Sequence, residues 1–392
     1  MQIATGIVEP HTSETWDTIV IGGGIAGVSL AARLATDRTV CVFEKEAGLA
    51  QHTTGKSVAT FIQSYGNGVI HALNAASLEF FTDGRSDNGE ALAKPLPFMY
   101  AANADTLGHL RDIYDAAGPL ARDMQFVDGA GAVEFSPLLR PEWTVGGLID
   151  PHVFDIDVHA LMQTFAAILR RCGGAIRTST EVVAARREGD HWIITDGSGA
   201  LYRARTVVDA AGAWADPVAR LFGAAPRDIR PLRRSVFTLA IPEHLANSVV
   251  PMINAADESF YLKPETAQLL CSPADETPTV PADTRPDEFE IARALDAISE
   301  ATVVDARYVR TTWAGLRSFA PDRIPVVGFD DRVEGFFWYA GPGGYGIQTS
   351  PALSELGAAI FRGDGARATD EFDVDSADIS PNRASIVSTA GH

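Results

Sequence analysis

Short unbroken apolar runs alternate with apolar residues at helical spacing at the start of the chain, and this outlines a fold before any motif is considered. Thr18 to Ile21 is an apolar run ending in glycines, as expected of a strand buried on both faces. Ile25 to Ala35 has helical spacing, and Val40 to Phe43 is a second apolar run. The pattern predicts a strand, a helix and a parallel strand. Residues 67–81, NGVIHALNAASLEFF, put an apolar stripe on one helix face. The TDGRSDNGE stretch behind them reads as a surface loop where the chain crosses to a second domain. Trp192 to Thr195 and Thr206 to Ala211 read as strands of the first domain. Between Val236 and Arg310, ESFYLKP and LLCSP alternate with the helical FEIARALDAISEA, the pattern of a mixed sheet carrying helices. Ser350 to Ile360 is again helical. After Asp364 the chain is acidic, rich in Ser and Asp and without periodicity, so a loosely ordered tail is expected.

At 392 residues the chain is longer than a single core usually serves. The prediction is an α/β protein with a Rossmann-like dinucleotide-binding domain and a mixed-sheet α+β substrate domain. The first comprises residues 16–85, 150–225 and 315–365, the second 86–149 and 226–314, and the loose tail 366–392. Composition adds exclusions. Lys and Arg number 32 against 51 Asp and Glu, a formal charge of −19, which argues against nucleic acid because a phosphate backbone is bound by clustered Lys and Arg. An anionic substrate would need local arginines to overcome that field. No apolar run suggests a membrane span, and the first residues lack the basic and apolar stretches of a secretory signal, so a cytoplasmic location is expected. Cys41, Cys172 and Cys271 are widely spaced, with no metal-type cluster around them, so neither disulfide nor metal site is expected.

The sharpest local signal follows the first strand. Gly22-Gly23-Gly24-Ile25-Ala26-Gly27 satisfies GxGxxG, and Glu44 stands at the end of the second strand. Gly22 permits the tight turn, Gly24 lets backbone approach a pyrophosphate, and Gly27 allows close helix–sheet packing. The N-terminus of the helix offers N–H groups and a positive dipole end to phosphates. Glu44 can accept hydrogen bonds from ribose hydroxyls, and its charge disfavours a 2′-phosphate.

Beyond Glu44 the segments HTTGKSVATFIQSYG, VVDAAGAWADPVA, DESFYLKPE, TWAGLRSFAPDRIPVVG and GFFWYAGPGGYGIQTSPA follow in order. Together they resemble the D-amino-acid oxidase-type superfamily of FAD-dependent oxidoreductases, and within it the D-arginine dehydrogenases. The resemblance implies FAD, with Lys45, Gly55, Lys56, Ser57, Val182, Ala211, Gly212 and Trp214 joining the first glycine loop around it. Gly343, Gly344, Tyr345, Gly346, Ile347 and Gln348 would form a second glycine-rich turn facing the ring system. That turn holds no cysteine, so a non-covalent cofactor is expected.

The same resemblance places Arg234 and Arg317 on a substrate carboxylate, Arg317 also touching the cofactor. Tyr65 and Tyr261 would add hydroxyls, and the Gly344 carbonyl would orient an amine. Arginine suits a carboxylate because its planar fork makes paired charge-assisted bonds. Arg317 lies in an otherwise apolar strand-like run, which argues for burial. Thr60 replaces a histidine of the D-arginine enzymes, and Phe98 falls where an acid would meet a guanidinium. With Met99, Met252 and the polar Asn254 these residues suggest an apolar or aromatic side-chain pocket. The implied activity is oxidative deamination of a D-amino acid to a 2-oxo acid and ammonia. Oxidation of a sarcosine-like secondary amine and dehydrogenation of a 2-hydroxy acid are the alternatives. The electron acceptor is left open among a quinone, a dye, an electron-transfer protein and O2.

Overall fold

The computed structural model describes residues 12–86, 88–365 and 371–387. Its first sheet is built on the predicted unit: β1 (Thr12–Ile21), α1 (Ile25–Leu34) and β2 (Val40–Phe43), with β1 and β2 parallel and Ile21 opposite Phe43. Strands Ala175–Arg177, Leu201–Asp209 and Phe336–Ala340 extend the parallel array on either side, and Val182–Glu188 and His191–Asp196 add an antiparallel meander at the edge. Both faces of β1 are buried, which is why its sequence is an apolar run without alternation. Val20 and Val42 face α1 and the helices Gly68–Thr82, Val158–Arg171 and Gly346–Arg362, in one core cluster. Ile19, Ile21, Cys41 and Phe43 point the other way and pack with Trp192, Phe222, Phe336 and Trp338. Helix Gly68–Thr82 starts where its cap dictates, the Asn67 side chain accepting a hydrogen bond from Ile70 N at 3.2 Å.

The second sheet is mixed. In spatial order it runs Pro342–Gly343, Thr312–Phe319, Arg230–Ala240, Gln268–Ser272, Tyr261–Glu265, Met252–Ala255, Phe98–Ala102, Gly146–Ile149 and Gln125–Asp128. A three-stranded sheet of Thr60–Ile62, Val153–Ile156 and Ala93–Pro95 joins the two halves. One expected boundary moves. Thr312–Phe319 pairs along its length with Arg230–Ala240, from Arg230 opposite Phe319 to Phe237 opposite Thr312. Residues 315–319 therefore belong to the second sheet, and the first resumes at Val326.

The tail also differs from expectation. Within residues 371–387, Phe372, Val374, Ile379 and Ile386 are buried against the first domain. Arg383 clamps the turn after strand Thr312–Phe319, its Nε and Nη2 donating to the Asp322 carboxylate at 2.7 and 2.8 Å. Composition did not show the spaced apolar anchors, and the rest of the expected tail lies outside the described residues. Among the described residues, no helix is long and apolar enough to cross a membrane.

Asp209 ends a central strand with no exposure at all. Its Oδ1 accepts from Ala211 N at 3.1 Å, whereas Oδ2 has no partner among the described residues. Burial, reinforced by the Asp216 carboxylate and opposed by the Ala211 bond, raises its pKa well above the ordinary value of 3.8. The folded state therefore holds a proton that the unfolded chain loses above that value, and stability declines as pH rises through this window. Asp209→Asn should remove the decline: its advantage in melting temperature over the unmodified protein should grow from pH 4 to pH 7. An advantage independent of pH would show that Asp209 does not carry the buried proton.

Candidate functional site

A cavity of about 940 Å³ opens where the C-terminal ends of the first sheet's strands meet one face of the second sheet. Ile21, Phe43 and Ala210 line it from one side, and Arg234, Asn254, Tyr261 and Arg317 from the other. This is where an open α/β sheet leaves its crevice for ligands.

At the first-sheet end, Gly22 turns the chain with φ +115°, and a Cβ there would stand 2.3 Å from the Ala210 carbonyl oxygen. A Cβ at Gly23 would meet the Glu44 side chain at 2.8 Å. Glu44 is buried and accepts from Gly23 N at 2.7 Å through Oε2 and from Glu46 N at 2.8 Å through Oε1. Each oxygen keeps further acceptor capacity for a ribose hydroxyl. Helix α1 carries no side-chain cap at Gly24, and Thr54 Oγ1 takes the Ile25 N–H at 3.0 Å. Nearby, Lys45 Nζ sits 3.5 Å from the Trp214 ring centroid, with the His52 ring 4.7 Å away on the same indole. These glycines and the single buried carboxylate suit a dinucleotide with free ribose hydroxyls. Of the residues assigned to the cofactor from sequence, Gly27 and Gly55 are the two that do not line the cavity. A Cβ on Gly27 would lie 1.9 Å from the Gly22 carbonyl oxygen, and one on Gly55 2.1 Å from that of Ala50, so both are packing glycines.

The far end is set by strand register. Arg234 pairs with Gly315, two residues from Arg317 on the neighbouring strand, so both guanidiniums rise from the same face as diagonal neighbours. Arg317 Nη1 donates to the Tyr65 hydroxyl at 3.3 Å, and the guanidinium lies so close to Gly344 that a Cβ there would stand 2.8 Å from Nη1. Among the described residues, no carboxylate lies within ion-pair distance of Arg317. Arg234 is largely buried, with Glu276 at 3.3 Å, and burial and the Arg317 cation both lower its pKa. Glu276 is in turn held by both arms of Arg323 at 3.0 and 2.9 Å. Arg234 thus shares Glu276 with Arg323, Arg317 beside it has no ion-pair partner among the described residues, and the local field attracts an anion despite the acidic chain.

Asn254 stands opposite Tyr261 on one side and Tyr100 on the other, so three polar side chains cross the same face in a row. Asn254 Oδ1 is buried without a partner among the described residues. Thr60 donates to Met252 Sδ at 3.6 Å, and both line the cavity with Tyr65 and Gly344. Phe98 does not. It shares a face with Tyr100 and Met252 but has no exposure and packs edge-on to Tyr100 at 4.7 Å, below the cavity. Tyr100, two positions on, reaches the wall instead. Met99 points away from that face into the core beneath helix Glu288–Ala301.

With this geometry established, comparison with known proteins gives it a family. The family model described as FAD dependent oxidoreductase matches residues 17–360. The chain belongs to that family. FAD is accordingly its cofactor, and the dinucleotide cradle is where this chain would hold it. Human mitochondrial dimethylglycine dehydrogenase is 26% identical over 369 residues, covering 86% of this chain but 42% of the relative. The chain thus spans about two fifths of that protein's length. Glycerol-3-phosphate dehydrogenase of Mycobacterium leprae is 26% identical over 337 residues, 79% of this chain and 56% of the relative. Among solved structures, glycine oxidase from Geobacillus kaustophilus superposes with a TM-score of 0.81 at 20% identity, covering 94% of this chain and 99% of that one, which speaks to fold.

The flavoenzyme's site also contains residues that its sequence did not single out. Tyr100, Ser64, Thr54 and Arg323 all line the cavity. Arg323 lies 3.9 Å from the Phe319 ring centroid and follows Asp322, the residue clamped by Arg383. Its signal was present in the APDR turn, but only the fold brings that turn to Glu276.

Proposed function

We propose that this oxidoreductase oxidises the carbon–nitrogen bond of a small α-amino acid of D configuration with an uncharged side chain, yielding a 2-oxo acid and ammonia. The carrying observation is Arg317, a cation inside the cavity with the Tyr65 hydroxyl on it and, among the described residues, no carboxylate within ion-pair distance. A substrate carboxylate supplies the missing charge, taken bidentately by Arg317 and shared with Arg234. Tyr261 adds a hydroxyl, and the Gly344 carbonyl, beside Arg317, accepts from the amine. Held in the cradle, FAD would supply the hydride acceptor for the Cα–H bond, and the imine left on the substrate would be hydrolysed by water. The chain's own residues fix the carboxylate and amine, which leaves one orientation for the Cα–H bond. The D configuration rests on the correspondence of Arg234, Arg317, Tyr65 and Tyr261 with the D-arginine enzymes.

Met252, Thr60, Tyr100 and Asn254 would surround the side chain. The carboxylates farther out on that wall, Asp112, Asp257 and Glu258, are all exposed. Pairing a cation with exposed carboxylates gains about 0–1 kcal/mol, whereas burying apolar surface gains about 25 cal/mol per Å². D-Met or D-Leu should therefore exceed D-Arg in kcat/KM by at least about tenfold, roughly 1.4 kcal/mol. A steady-state panel with an artificial electron acceptor reads this ratio, and a preference for D-Arg would overturn the side-chain assignment. An N-alkylated amino acid, the sarcosine-like secondary amine among them, is the second reading, supported by the match to dimethylglycine dehydrogenase, whose name gives an N-methylated amino acid as its substrate. N-methylated members of the panel test it.

A further inference from the structure

Arg234 is held only loosely by its counterion. It makes a single ionic bond, Nη2 to Glu276 Oε1 at 3.3 Å, and its Nε is buried without a partner among the described residues. Its Nη1 makes no hydrogen bond among them either, and that arm is not sealed off from the cavity Arg234 lines. Glu276 is engaged more closely elsewhere. Arg323 meets both of its oxygens, Nη2 on Oε1 at 2.9 Å and Nη1 on Oε2 at 3.0 Å, the fork geometry of a strong arginine–carboxylate pair. Arg234 is therefore a third, longer donor to an oxygen already taken.

Arg323, by contrast, is fixed from several sides. Its backbone N–H donates to Ala320 O at 2.9 Å and its carbonyl accepts from Asn67 Nδ2 at 3.2 Å, with φ at +61°. The guanidinium lies 3.9 Å from the Phe319 ring centroid, and the preceding Asp322 is gripped by Arg383. The neighbouring acid Asp275 cannot stand in for Glu276, because it accepts from Ser235 N and Oγ and faces Arg233 at 3.6 Å. A carboxylate entering the cavity can thus draw Arg234 away without orphaning Glu276, whose two oxygens stay occupied by Arg323. Were Glu276 held by Arg234 alone, the same move would leave a part-buried carboxylate unpaired, which is costly.

We propose that Arg234 is a switching residue, which rests on Glu276 before a carboxylate binds and transfers to the ligand while Arg323 holds Glu276 in place. Glu276 competes for Arg234 and so sets how tightly a carboxylate is held. It takes Arg234 back as the product 2-oxo acid leaves. Glu276 itself does not line the cavity, and its role is to position Arg234.

The inference rests on the carboxylate clamp of the proposed function, and one experiment separates the two. The FAD-loaded unmodified protein and its variants are titrated with butanoate, which has no amine to oxidise, and with the uncharged butanamide, binding being read from the flavin absorbance. Glu276→Gln frees Arg234 and should tighten butanoate roughly tenfold. Arg323→Gln leaves Glu276 to Arg234 alone and should weaken butanoate by a similar factor. In an Arg234→Met background nothing remains to be switched, so adding Glu276→Gln should leave the affinity nearly unchanged. Butanamide should respond to none of these. A network that only supports the fold would weaken binding in both single variants, so either one decides by the sign of its change. Weakening by Glu276→Gln, an equal response to butanamide, or a full effect of Glu276→Gln without Arg234 overturns the switch while amine oxidation stands. Butanoate failing to bind the unmodified protein overturns the switch and the clamp together. The predicted signs, with no amino acid able to reduce the flavin, uphold the switch and sink amine oxidation.

Discussion

Arg317→Met should lower kcat/KM for every amino-acid substrate by roughly 2–5 kcal/mol, the cost of leaving a desolvated carboxylate without its paired charge. The same substitution should not lower the melting temperature. Arg317 has no carboxylate partner to orphan, and a cation held in a cavity without one is itself a cost to the folded state. Loss of activity with retained stability is the signature of a residue placed for ligand rather than for fold. Arg317→Lys should recover part of the activity, because a point charge cannot reproduce the fork that meets both carboxylate oxygens. Near-normal turnover by Arg317→Met, measured with the preferred substrate, would remove this residue from the site.

Gly22→Ala should abolish FAD retention. At φ +115° an alanine is strained whatever the space around it, and its Cβ would lie 2.3 Å from a backbone oxygen, Ala210 O, which no rotamer change can relieve. Strain of this kind costs on the order of 1–3 kcal/mol, and the displaced Ala210 carbonyl borders the same crevice. Gly89 provides the control. It has φ +80° but, among the described residues, nothing within 4 Å of an added Cβ, so Gly89→Ala carries the strain without the clash. FAD absorbance after gel filtration should be lost for the first variant and kept for the second. Equal retention in both would show that the turn at Gly22 tolerates a side chain.

Local chemistry was readable along the chain, and non-local packing was not. The first strand, helix and second strand follow from apolar runs and glycines whose roles are settled within a few residues, and Glu44 is found at the strand end for the same reason. Phe98 shows the limit. The resemblance set it in the side-chain pocket, but it is fully buried below the cavity, whose depth along that strand is set by how segment 107–117 packs over it. The 371–387 segment failed similarly, since one arginine, Arg383, anchors it to an aspartate 61 positions away.

The central claim is that the cavity takes an amino acid by its carboxylate and oxidises the adjoining carbon–nitrogen bond. Its most direct test is anaerobic mixing of the FAD-loaded protein with D-Met, with the 2-hydroxy acid of the same side chain, with N-methylglycine and with glycerol 3-phosphate, following the flavin absorbance. Bleaching by an amino acid, with the 2-oxo acid and ammonia formed in step, is the predicted result. Bleaching by the 2-hydroxy acid or by glycerol 3-phosphate, with every amine inert, would contradict it.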